Sequence, residues 1–149
     1  MEKLLISACI LGASSRYDGK SKKCLTERDL GRLIDNYELV PFCPEIYGGL
    51  PTPRTPSERV GDAVLMKDGK DVTENYKKGA MEAKRLCELL GIKKALLKER
   101  SPACGKDRIY DGSFTGVLTP RHGVAAELLI ESGISVYGDS EIEMLFDDE

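Results

Sequence analysis

Lys3-Leu4-Leu5-Ile6-Ser7-Ala8 is a short apolar run, and the pattern beyond it decides the fold. After a polar loop comes a helical pattern from Glu27 to Asn36, in which Leu30, Leu33 and Ile34, with Tyr37 just beyond, share one face. Thr26 with Asp29 makes a capping-box-like start for it. A second strand-like run, Glu38 to Phe42, comes next. Apolar runs alternating with helical patterns are the signature of βαβ units and a parallel sheet.

The alternation continues outward from this unit. Cys43 to Arg59 reads as a long loop with four of the seven prolines (Pro44, Pro51, Pro53, Pro56) and the Gly48-Gly49 pair, hence stiff, shaped and functional. Ala63 to Thr73 reads as a small hairpin around Asp68-Gly69. The longest helix is expected over Glu74 to Leu90, capped by Thr73, closed by Gly91, with Tyr76, Ala80, Ala83, Leu86, Cys87 and Leu90 as its apolar face. A third strand spans Lys94 to Lys98 and a loop Arg100 to Leu118. Thr119-Pro120 opens a helix to Ser132 with Gly133 as its stop, and a fourth strand covers Ile134 to Tyr137. Ser140 and Glu143 form a capping box for a short final helix. The expectation is one compact α/β domain over residues 1–149. It has a small, mostly parallel four-stranded sheet flanked by helices in Rossmann-like βα units, with a small hairpin insertion.

Composition agrees. A chain of 149 residues with 41% hydrophobic and 32% charged residues is ordinary for a globular protein and argues against disorder. It has no internal repeat, and no apolar run approaches the ~18 residues of a membrane span. Ile6-Ser7-Ala8-Cys9 imitates a lipoprotein cleavage site, but only eight residues precede Cys9 and Glu2 cancels Lys3, so export is not expected. The expected location is cytoplasmic, where thiols stay reduced. Net charge is −3, yet the stretch from Asp139 to Glu149 holds six acids and no base; without it the 25 acids fall to 19 against 22 bases. Many of those bases lie in loops, which reads first as a solvated surface and second as a face for an anionic or nucleotide-like partner.

Five cysteines, an odd number, cannot all pair within one chain, and none forms a CxxC. Cys9, Cys43 and Cys104 each come after a predicted strand, and strand carboxyl ends in an open parallel sheet share one edge where ligands bind. Cys87 lies on an apolar helix face and reads as a packed thiol; Cys24, at a helix entrance, also reads as an ordinary one. Three thiols converging in a reducing compartment suit a soft metal. Zinc would want a fourth ligand, for which His122 is the single histidine. An iron–sulfur cluster with three thiolates and one open iron is the other option. No P-loop or GxGxxG pattern is present, so a nucleotide cofactor is not indicated.

The flanking residues add a resemblance. Ser7-Ala8-Cys9-Ile10-Leu11-Gly12 with Arg16-Tyr17-Asp18-Gly19, Phe42-Cys43-Pro44-Glu45 with Gly48-Gly49-Leu50-Pro51-Thr52-Pro53-Arg54, and Leu97-Lys98-Glu99-Arg100-Ser101-Pro102-Ala103-Cys104-Gly105 resemble the motifs of the TudS-type thiouracil desulfidases. Gly112-Ser113-Phe114-Thr115-Gly116-Val117 and His122-Gly123-Val124 also fit. The resemblance implies a small α/β fold holding a 4Fe–4S cluster through Cys9, Cys43 and Cys104, with one iron open to a substrate sulfur. It implies non-redox removal of sulfur from thiolated uracils, with Glu45 as the catalytic acidic residue and Ser101 contacting substrate. The helical domain of larger relatives that act on thiolated transfer RNA has no counterpart in these residues, which favours a free base, nucleoside or nucleotide. On the residues alone, Glu45 reads first as a cap or loop anchor and Ser101 as an N-cap or turn residue, and Arg16, Asp18 and Arg54 as loop organisers.

Overall fold

The computed structural model describes residues 1–13, 17–19 and 24–146. Four strands build its central sheet: β1 (Glu2–Ser7), β2 (Tyr37–Phe42), β5 (Lys94–Leu97) and β8 (Ser135–Gly138). Their order is β2-β1-β5-β8, and every pairing is parallel. Leu4, Leu5 and Ile6 of β1 are completely buried, as a central strand with both faces covered requires. Leu5, Phe42, Ala95, Leu97 and Val136 meet helices α3 (Thr73–Leu90) and α4 (Val124–Glu131) on one side. Leu4, Ile6 and Leu96 meet α1 (Glu27–Asn36) and the segment after β8 on the other. No helix among the described residues is long and apolar enough to cross a membrane.

The chain runs from β1 outward to β2, then crosses back over β1 to β5. This reversal makes the carboxyl ends of β1 and β5 a topological switch point, where open α/β sheets place their ligands.

Local signals are obeyed where neighbours in sequence control them. α1 starts as expected, Asp29 N–H donating to Thr26 Oγ1 at 3.1 Å, and Gly91 ends α3 in the left-handed region at φ 70°. Elsewhere long-range pairing changes the outcome. The expected hairpin at Ala63 to Thr73 is displaced: β3 (Ser57–Val60) pairs antiparallel with β4 (Ala63–Met66) across Gly61-Asp62. Asp68-Gly69 still turns, held by the Leu65–Asp71 bridge and by bonds from Met66 N to Lys70 O, Gly69 N to Met66 O and Val72 N to Val64 O. The expected loop Cys43 to Arg59 therefore ends early, and it also contains a one-turn helix, α2 (Pro44–Tyr47). α4 begins at Val124 rather than at Thr119-Pro120, because β7 (Leu118–Thr119) is drawn into pairing with β6 (Ile109–Tyr110). Thr73 is not the cap of α3; its hydroxyl accepts from Val64 N (2.9 Å) and donates to Asp71 Oδ1 (2.6 Å).

The capping box at Ser140 and Glu143 is not made either. The segment is a kinked 3-10 helix, Asp139–Phe146, and its polar groups reach outward. Asp139 Oδ1 accepts from Glu99 N (2.9 Å), Glu99 Oε1 accepts from Ser140 N (2.7 Å), and Glu141 holds the Lys106 ammonium with both oxygens at 3.0 Å. Glu143 pairs with Arg32 at 2.6 Å. This acid-rich segment thus fastens the loop after β5 to the sheet.

Two glycines set the distance between α2 and α3. A methyl on Gly79 would lie far inside contact with Pro44 O, and one on Gly48 would strike Asn75 O. Asn75 Nδ2 also donates to Gly48 O at 2.9 Å. Gly79→Ala should lower stability by about 1–3 kcal/mol through overpacking, despite a helix-propensity gain of about 1 kcal/mol. Urea unfolding monitored by circular dichroism measures it.

Candidate active site

Three neighbouring strands each lead to one thiol. After β1 the chain tightens into a 3-10 turn, Ala8–Leu11, which holds Cys9 and ends at Gly12 with φ 90°. After β2, Cys43 is the N-cap of α2, with Pro44 at the first helical position, where its missing N–H costs nothing. After β5, Ser101 shapes the turn that carries Cys104. Its Oγ accepts from the N–H groups of Ala103 and Cys104, both at 3.1 Å, and its carbonyl accepts from Gly105 N at 2.8 Å. That turn admits no side chain at Gly105, where a Cβ would lie 2.7 Å from Ser101 O, nor at Gly123, where it would lie 2.7 Å from Ala103 O.

The three thiols and one carboxylate form a single electrostatic unit. The Cys9 thiol is pushed up to about 11, by burial first and then by Cys24, Cys43 and Glu45, with Lys98 opposing them. Burial also raises Cys43, against the pull of the Ile46 and Glu45 N–H groups, which face its sulfur without completing a capping hydrogen bond. Cys104 is raised by burial, then by the charges of Cys43, Cys9 and Glu45, with the Ser7 hydroxyl opposing. Ser7, itself buried, also accepts from Lys98 N at 2.9 Å and so ties the end of β1 to the end of β5. Left to themselves such thiols stay protonated at neutral pH; a bound metal displaces the protons and makes them ligands.

Three thiols are a soft donor set, of the kind that zinc and iron–sulfur clusters take. Among the described residues no three His, Cys, Asp or Glu side chains stand close enough to hold a single metal ion. A tetrahedral zinc site needs thiolate sulfurs within about 3.8 Å of one another, from Zn–S bonds of about 2.3 Å. His122 does not join the thiols: its Nδ1 accepts from Asp107 N at 3.0 Å and its carbonyl accepts from Arg59. Two surface hollows of about 480 and 420 Å³, lined by Asp62, Asp71 and Glu74 and by Arg59, Met81 and Glu127, contain none of the cysteines.

Glu45 stands in the first turn of α2. Its Oε2 accepts from Arg54 Nε (3.1 Å), Arg54 Nη2 (2.9 Å) and the Tyr76 hydroxyl (2.9 Å). Arg54 also donates to Thr52 Oγ1 at 3.0 Å and Pro51 O at 3.3 Å, and its backbone N–H reaches Tyr17 O at 2.5 Å, which is the loop-organising part expected of it. Asp18 is half-buried beside Tyr17, and Arg16 lies outside the described residues.

Cys87 is a packed core thiol, 2% exposed, with burial raising it to about 11. Cys24 is half-buried against the apolar cluster that includes Ile10 and Leu33, and it lies within electrostatic reach of Cys9. Sequence reasoning missed Tyr76, which it placed on an apolar face, and Ser7. It also missed Gly79, for which a signal existed: a glycine inside a helix costs about 1 kcal/mol and asks for a close-packing reason.

Comparison with known proteins gives concordant results. Residues 4–141 match the family described as 2-thiouracil desulfurase. The chain is 33% identical over 149 residues to the uncharacterized protein YbbK of Bacillus subtilis (strain 168), covering 93% of this chain and 97% of that one. Its fold superposes with a TM-score of 0.92 on a solved structure titled [4Fe-4S]-dependent thiouracil desulfidase TudS, at 44% identity over 98% of this chain and 96% of that one. With the thiol-bearing strand ends, the family match and this superposition in agreement, the chain belongs to the 2-thiouracil desulfurase family.

Proposed function

We propose that this chain is an iron–sulfur-dependent desulfidase that converts a thiolated uracil and water to uracil and hydrosulfide. The observation that carries the proposal is the convergence of Cys9, Cys43 and Cys104 around one carboxylate, Glu45, whose charge acts on all three thiols. Cys9, Cys43 and Cys104 would hold a 4Fe–4S cluster, three protein ligands for four irons leaving one iron without a protein ligand. When bound, such a cluster supplies a thiophilic Lewis acid toward the thiocarbonyl sulfur. The free thiols of this chain suit a reducing cytoplasm.

The protein's own groups then divide the remaining work. Water adds to the thiocarbonyl carbon as Glu45 takes one of its protons; the carboxylic acid so formed gives that proton to the departing sulfur as the C–S bond breaks, and the hydroxyl left on the carbon releases its own proton to solvent as the uracil carbonyl forms. No electron is gained or lost, and sulfur leaves as hydrosulfide. Ser101 accepts two backbone N–H groups through its oxygen, so its own O–H is left to donate to the polar edge of the pyrimidine. Cys104 (5% exposed) and the Arg54 side chain (3% exposed) are buried, and a hydrogen bond at such a place is stronger than one in water. The substrates that fit this chemistry are 2-thiouracil, 4-thiouracil and their nucleosides or nucleotides.

Iron content and sulfide release test the proposal together. Anaerobically reconstituted protein should release sulfide from 2-thiouracil or 4-thiouracil, and Cys43→Ala should lose iron and turnover together. A Cys43→Ala protein with full iron and full turnover removes Cys43 from the ligand set. Glu45→Gln should keep its iron while turnover falls by about 10²–10⁴-fold, the usual contribution of an acid–base group; unchanged sulfide release would take Glu45 out of the reaction.

A further inference from the structure

Glu45 is held by one oxygen only. Among the described residues its three donor groups, two from Arg54 and one from Tyr76, all converge on Oε2 and none reaches Oε1. This is an asymmetric clamp: a fork-to-fork arginine pair would occupy both carboxylate oxygens. The clamp is well buried, with Tyr76 1% exposed and the Arg54 and Glu45 side chains 3% and 16% exposed, so its bonds act at low dielectric.

Tyr76 is an unusual member of this clamp. It projects from the first turn of α3 into the core it shares with Leu50 and Val72, and it brings a hydroxyl where the neighbouring positions bring hydrocarbon. A phenylalanine would fill the same space. The hydroxyl has a single proton, and burial together with the charge of Glu45 holds it far above the usual phenol range, so it remains a donor throughout the working pH range. The buried Ser57 Oγ completes no hydrogen bond, yet it lies near enough to the phenol to favour its charged form, an effect smaller than burial and the charge of Glu45. The proton of the Tyr76 hydroxyl goes to Glu45 Oε2, at 2.9 Å.

We infer that Tyr76 is a positioning residue for the desulfidation: with Arg54 it immobilises Oε2 of Glu45 and so reserves Oε1 as the oxygen that exchanges protons with water and substrate. The inference rests on Glu45 being the proton-transfer group. Arg54 supplies the charge and Tyr76 the direction, because a phenol on a rigid helix admits fewer orientations than an arginine at the end of a loop.

The test is a double-mutant cycle on the iron-loaded enzyme with 2-thiouracil or 4-thiouracil, whichever it turns over. Tyr76→Phe keeps the ring and removes only the hydroxyl. It should lower kcat roughly tenfold, the factor that one hydrogen bond to a charged group supports, and leave KM, iron content and the cluster's absorption spectrum as they were. In a Glu45→Gln background the same change should have no further effect on kcat, since Tyr76 acts only through Glu45. An unchanged kcat in Tyr76→Phe overturns the inference. So does an equal fall in both backgrounds, or a fall that tracks lost iron, each of which marks a structural role. A fully active Glu45→Gln single variant fails the proton-transfer assignment itself and is recognised without reference to Tyr76.

Discussion

The parallel register of β1 with its two neighbours sets the position of every group at the site. Ser7 pairs with Phe42 on one side, and Ile6 pairs with Leu96 on the other. With the strands so aligned, Cys9 and Cys43 leave the sheet within two residues of the same level, and the loop after β5 brings Cys104 to join them. A slip of one residue would turn Leu4 and Ile6 to the face that Leu5 occupies and move a thiol out of the crevice at the same time. The burial that fixes the core therefore also fixes the site. Leu4, Leu5 and Ile6, with no exposed surface, hold the register, and a few residues later the same strand leads to Cys9.

Much of this was readable in the sequence because it depends on neighbours along the chain. The run from Leu4 to Ile6, the face of α1 and the stop at Gly91 are local matters, and they suffice to give the alternation that aligns three cysteines along one edge. What was not readable depends on partners far away. Gly61-Asp62 turns the hairpin because Ser57 to Val60 finds a partner in Ala63 to Met66, whereas Asp68-Gly69 carried the stronger local turn signal. Leu118 reads as the end of a loop and Thr119 as the start of a helix, and the two became a strand when Ile109 and Tyr110 were opposite. Tyr76 looked like core because it is core; only the position of Glu45, brought there by Cys43 and Pro44, gives its hydroxyl a second task.

Ser101 illustrates how one residue can satisfy both a plain and a functional reading. Its oxygen closes the turn that presents Cys104, which is what a serine before proline does in many loops. The same commitment leaves its O–H to donate, which is the part proposed for it above. Arg54 has a similar double character, organising the proline-rich loop through Pro51 and Thr52 while it holds Glu45. Rigidity of the loops and chemistry at the site draw on the same bonds.

The acid-rich segment after β8 has a consequence in time as well as in space. Asp139, Ser140 and Glu141 fasten Glu99 and Lys106, the residues that frame the Cys104 turn. Glu141 is made 35 residues after the Lys106 that it holds. A nascent chain can set β1, β2 and the thiols of Cys9 and Cys43 early, but its third thiol has no fixed seat until β8 has joined the sheet and the residues beyond it have folded back. Seating of the third thiol is thus a late step of synthesis, and a chain stopped before Asp139 would offer two thiols in place and a third on an untied loop.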